Sequence, residues 1–154
     1  MRKLVVFAAV VASVGATSAQ AGTLTIAVTS VVLSAKQTDV LPNGASKGDT
    51  IEMRDRLLNA KRQFGRGKGA RVGSDHGTMT FTGRHTATFS GLAVLPGGTL
   101  QISGRVVPVA QGLVIPVTGG TGRFARAKGY VLVGHGAKTA LNTYTLTLPT
   151  IPVA

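Results

Sequence analysis

The chain has 154 residues, 17 Lys and Arg against 5 Asp and Glu, a formal net charge of +12 and no cysteine. Disulfides are excluded, so a chain of this length must hold one domain together by packing alone. The charge favours polyanionic surfaces without specifying one.

Met1-Arg2-Lys3 is a basic start, Leu4 to Ala12 is an apolar run, and a polar stretch ends in Ala19-Gln20-Ala21, an A-x-A pattern. This order predicts a secretory signal peptide over residues 1–21, cut after Ala21, because the apolar run falls well short of the roughly 20 residues that span a bilayer. Residues 22–154 are then expected as one secreted or periplasmic domain.

Glycine is abundant, with 21 residues, and Thr and Val alternate in short runs between turn signals. This pattern predicts strands rather than helices. Eight are expected. The first spans Thr23 to Ser34, with Leu24, Ile26, Val28 and Val32 in one phase, and Pro42-Asn43-Gly44 marks the turn beyond it. The second spans Thr50 to Leu58, with Ile51, Met53, Asp55 and Leu57 on a shared face. Residues 59–70 contain Phe64-Gly65-Arg66-Gly67-Lys68-Gly69 and are expected as an irregular, mobile loop.

The third strand covers Arg71 to Thr82, with Asp75, Met79 and Phe81 in phase, and Gly83-Arg84 reverses into the fourth, His85 to Leu95. The fifth runs Thr99 to Val107 and the sixth Leu113 to Thr118, followed by Gly119-Gly120-Thr121-Gly122. Phe124 to Gly134 makes the seventh and Thr139 to Leu148 the eighth, where Asn142, Tyr144, Leu146 and Leu148 share a phase. Eight short strands with hairpin connections predict an antiparallel sandwich or an up-and-down barrel, whose closure removes exposed edges. A barrel of this size encloses side chains or one small ligand.

The stretch from Val117 through Gly119-Gly120-Thr121-Gly122-Arg123-Phe124 to Tyr130 resembles the most characteristic segment of the allene oxide cyclase and dirigent-like β-barrel superfamily. Further likeness lies in Gly48-Asp49 with Asp55-Arg56-Leu57, in Val72-Gly73 and Gly77, in Ala87 to Ser90 and in Gly98 to Gly104. The resemblance implies a single eight-stranded antiparallel barrel over residues 22–154, an apolar cavity and a homotrimer. It does not carry over the cyclase site. The first strand, Leu24 to Ser30, has no carboxylate, the family's cysteine position falls near Met79, and its second-strand asparagine is Asp55 here. Arg105 to Thr118 also lacks the acids some dirigent proteins place after the fifth strand.

Side chains two apart on a strand point the same way. If the apolar phase faces the lumen, Asp55, Asp75, His85 and Tyr144 face it as candidate acid–base groups, with Met53, Met79, Phe89 and Val106 as the ligand wall. The alternative places these polar groups at strand ends, open to water. An acid held among hydrocarbons has a raised pKa and suits proton transfer in an isomerisation or cyclisation.

Lys61, Arg62, Arg66, Lys68 and Arg71 form a candidate site for an anionic polymer or lipid surface. With Phe64 as the sole aromatic there, base stacking is unsupported and no specific nucleic-acid partner is expected. The three histidines lack metal-ligand spacing, the glycine motif lacks the Lys-Ser/Thr of a phosphate loop, and no G-x-S-x-G elbow occurs. No metal or other cofactor is expected. The expected function is binding of a small apolar molecule in the cavity, with cyclase- or isomerase-like chemistry. The alternatives are a basic exported protein that binds anionic polymers and a dirigent-like stereochemical guide.

Overall fold

A computed structural model describes residues 21–149. The expected signal peptide lies outside them, apart from its last residue, Ala21. Eight antiparallel strands run in order: β1 Gly22–Thr38, β2 Thr50–Asn59, β3 Arg71–Gly83, β4 Thr86–Leu95, β5 Gly98–Val109, β6 Gly112–Gly120, β7 Lys128–Gly134 and β8 Thr139–Leu148. Each pairs with the next, and β1 also pairs with β8, so the sheet closes into a barrel.

The β1 strand is longer than its hydrophobic phase suggested. Pairing with β8 covers Gly22 to Val31, pairing with β2 begins only at Val28, and the two overlap over Val28 to Val31. A bulge at Leu33 then carries residues 34–38 onward against β2 alone. Exposed Val32, Leu33 and Leu41 accompany this projecting ribbon.

The barrel's two ends differ. At one end, Val28, Leu57, Leu100, Leu146, Phe124 and Ala127 have no exposed surface and pack into a solid core. Phe124 was expected to open β7; it instead ends a one-turn 3₁₀ segment, Gly122–Phe124, that plugs this end. The glycine motif explains the insertion. Gly122 sits at φ +58°, and a Cβ there would lie 2.1 Å from the Gly97 carbonyl oxygen, so only glycine permits the turn that drops Phe124 into the core. Arg123 stacks over the rings of Phe64 and Phe124, 5.7 and 5.4 Å from their centroids.

The loop over residues 60–70 is more ordered than its glycine content suggested. The buried Asn59 amide donates to the carbonyls of Gln63, Arg66 and Gly67 at 2.9, 3.1 and 3.2 Å. Its own backbone N–H donates to Ala70 O, and Gly69 N–H donates to Asn59 O. Glycine frees the backbone to curl around one side chain, and that side chain satisfies the curl's carbonyls. At the opposite end, Asp49 accepts hydrogen bonds from the N–H groups of Val40 and Ser46, both at 2.8 Å. These bonds hold its carboxyl below the usual carboxylate range.

Asn59→Ala should cost about 2 kcal/mol, the loss of two or three net hydrogen bonds. Limited trypsin digestion should then cut after Lys61, Arg62, Arg66 or Lys68 much faster than in the parent, while the far-ultraviolet circular dichroism stays that of the barrel.

Candidate functional site

Toward the other end the interior is not filled. A cavity of about 320 Å³ occupies the lumen, with every strand contributing to its wall. Met53, Met79, Phe89, Ile102, Ile115 and Val131 supply hydrocarbon and thioether surface. The rim comes from the β5–β6 and β7–β8 connections, where Gly112, Gly134, His135 and Gly136 line the opening. His135 Nε2 lies 3.1 Å from Ala110 O, tying the two turns together.

Space exists because two glycines face each other across the wall. Gly77 on β3 is the register partner of Gly91 on β4. A Cβ on Gly77 would lie 2.3 Å from Phe89 Cζ, and one on Gly91 would lie 2.8 Å from Phe89 Cε1. The Phe89 ring therefore rests against bare backbone instead of projecting across the lumen.

The polar groups gather in one part of this apolar wall. Asp55 on β2 stands directly opposite Asp75 on β3. Such a pair on one face of a sheet places the Cβ atoms about 5 Å apart. Ser30, diagonal to Asp55 across the β1–β2 pair, donates its hydroxyl to Asp55 Oδ2 at 2.5 Å. Asn142 and Tyr144 enter from β8, and all five side chains line the cavity. Asp55 Oδ1 and Asn142 Oδ1 are buried and accept no hydrogen bond.

Burial pushes the Asp75 carboxyl up to about 7, and the neighbouring Asp55 carboxylate adds to the rise. Burial, reinforced by Asp75 and then Asp55, also drives the Tyr144 hydroxyl far upward, so it stays protonated. One group thus holds or releases a proton near neutrality, beside a hydroxyl that remains neutral. That pairing suits general acid–base chemistry on a molecule enclosed by hydrocarbon.

The structure brings Asp55, Asp75 and Tyr144 into one lumen, together with Met53, Met79 and Phe89. His85 and Val106 were expected there and lie elsewhere. The reversal between β3 and β4 is Arg84-His85, so His85 belongs to an exposed turn before the strand begins, and its side chain does not line the lumen, although Phe89, in the same phase, does. Val106 does point inward, but it packs in the hydrophobic core, with Ala87 as its register partner, and borders no open space. Ser30 and Asn142 escaped the sequence reading. Both share a phase with buried neighbours, Ser30 with Ile26 and Val28, Asn142 with Tyr144, but neutral polar residues in such phases give no charge signal. Lys61, Arg62, Arg66, Lys68 and Arg71 are all exposed around the closed end, with Arg66 Nη1 donating to Arg71 O at 2.9 Å.

The model of the dirigent-like protein family matches residues 29–148, and the chain belongs to that family. No curated protein sequence matches the chain significantly. Among solved structures, pyocyanin demethylase is similar with a TM-score of 0.68 and 22% identity, over 80% of this chain and 100% of that one. A pterocarpan synthase dirigent protein is similar with a TM-score of 0.60 and 18% identity, over 84% of this chain and 86% of that one. A Diels–Alderase from Streptomyces koyangensis has a TM-score of 0.62 and 20% identity, over 84% of this chain and 65% of that one. At these identities the likeness is one of fold.

The raised Asp75 pKa sets a pH dependence of stability. In the unfolded chain the group ionises near 4, whereas in the barrel it holds its proton to about 7, so the folded state binds more protons between these values. Stability should fall as pH rises through that window and level off above it. Urea unfolding of Asp75→Asn should show this component of the decline removed, with a gain over the parent at pH 8 on the order of 2–4 kcal/mol and little difference near pH 4.

Proposed function

We propose that this dirigent-like barrel is an exported protein that takes a small apolar molecule into its lumen and promotes an isomerisation or cyclisation there. The carrying observation is the single lumen in which Asp55, Asp75 and Tyr144 meet inside a wall of hydrocarbon. Its volume, about 320 Å³, falls at the lower end of the range of small-molecule pockets, roughly 300–1,000 Å³. The fold it shares with a Diels–Alderase and a pterocarpan synthase dirigent protein supports a cyclase-like or dirigent-like role. Export rests on the sequence of the first 21 residues.

The chemistry follows from confinement and one mobile proton. Rigid walls select one folded conformer of a flexible substrate, which removes part of the entropic barrier before any bond changes. Asp75, titrating near neutrality, gives a proton to a developing anion or takes one from an activated carbon. Tyr144, protonated throughout, donates a hydrogen bond to an oxygen on which charge builds. Ser30 holds Asp55 in place beside Asp75.

The test begins with occupancy. An uncharged environment-sensitive dye such as N-phenyl-1-naphthylamine should bind saturably, and Leu113→Trp, at the lumen wall, should weaken it by about ten-fold or more through lost space. With a substrate captured from cell extracts, Asp75→Asn should lower kcat by about 10²–10⁴. Absence of saturable binding, or a Leu113→Trp protein that binds as the parent does, would sink the reading.

A second reading concerns the closed end, where Lys61, Arg62, Arg66, Lys68 and Arg71 are all exposed. Attachment to an anionic polymer through this end would leave the lumen's opening free. Binding to heparin resin should weaken steeply with salt, and the triple substitution Arg62→Gln, Arg66→Gln, Lys68→Gln should abolish it without changing dye binding.

A further inference from the structure

We infer that the lumen is built for an apolar molecule carrying a cationic N–H head, a protonated amine above all, and that it rejects carboxylates. The inference rests on the lumen-binding reading and deepens it by assigning the charge of the occupant.

The charge inventory of the wall carries the case. The chain has 17 Lys and Arg against 5 Asp and Glu, yet among the described residues no Lys or Arg lines the cavity, while two of the five acids do, side by side. The lumen therefore opposes the sign of the rest of the molecule. Tyr144, which stays neutral, and two histidines complete the titratable groups of the lining among the described residues. His135 is exposed at the rim, and His76, next to Asp75 in the chain, belongs to the opposite, solvent-facing phase of β3. Neither neutralises the acids at depth.

Hydrogen bonding points the same way. Asn142 is 4% exposed and its Oδ1 has no donor; Asp55 Oδ1 is buried in the same condition. Ser30 spends its hydroxyl donor on Asp55 Oδ2, and among the described residues no Lys or Arg lines the wall on the β3 or β8 side. The wall thus lacks donors to these two oxygens and lacks a cation to offset the acids. A head with several N–H groups and a positive charge matches both shortages at once. A carboxylate would add a further negative charge beside two acids in a low-dielectric space, with no cation to offset it. The positive exterior does not reverse this preference, because solvent and salt screen exposed charges over about 10 Å while the buried pair acts at contact.

The experiment compares three ligands on one apolar body by calorimetry near pH 8: 2-naphthylmethylamine, 2-naphthylmethanol and 2-naphthoate. The amine should bind about ten-fold or more tighter than the alcohol, and the naphthoate about ten-fold or more weaker. Asp55→Asn and Asp75→Asn should each reduce the amine's advantage, and the double variant should erase it while retaining the alcohol's affinity. Retained alcohol binding also shows that the variants keep the lumen intact. Equal affinities for all three, tighter naphthoate, or an amine advantage that survives the double substitution would overturn the inference and leave the lumen-binding reading standing. Failure of all three to bind would overturn both.

Discussion

Closure of β1 onto β8 is the constraint on which everything else rests. An open eight-stranded sheet has two unpaired edges and one continuous apolar face, and both would have to be covered. Once closed, every residue along the paired length has a side, lumen or solvent, fixed by alternation. That rule places Asp55 and Asp75 inside with Met53, Met79 and Phe89, and it places the lysines and arginines outside. The chain has no cysteine, so the ladder and its packed end bear the stability without any disulfide.

The barrel divides that stability unevenly. The end sealed by Phe124 is a solid core without accessible surface, braced outside by Arg123 over two aromatic rings. The other end gives up packing for space, and the acids within it add an electrostatic cost. A protein can carry a void and a paired carboxylate only if another region is over-stabilised. The glycine motif after β6 thus has a mechanical role. It turns the chain tightly enough to seat Phe124, and the seal makes the lumen a cavity with one end closed.

The lumen's chemistry follows from its polarity. In water Asp75 would be an ordinary carboxylate; behind a wall of methionine, phenylalanine and valine it holds its proton to about 7. The same wall keeps Tyr144 neutral and leaves Asp55 Oδ1 and Asn142 Oδ1 without partners. A buried network left partly unsatisfied is costly for folding and selective for ligands, since a ligand gains what the empty protein lacks. The proposed chemistry and the proposed ligand charge both rest on these few groups, while the likeness to solved structures is one of fold.

Strand number, the all-β class and the phases of β2, β3 and β8 were legible in the sequence, because alternation is a local property that the solvent-facing and core-facing residues display in the chain itself. Asp55, Asp75 and Tyr144 could be chosen that way, since each stands in phase with large apolar neighbours. Tertiary structure alone decided that Asp55 and Asp75 are register partners, that His85 falls in a turn and that Val106 meets packed hydrocarbon. It also decided that Ser30 and Asn142 join the acids. Those outcomes depend on inter-strand register and on where the lumen is filled. Both are set by contacts between residues far apart in the chain, such as Gly77 with Phe89 and Ser30 with Asp55, which no periodicity within one strand records.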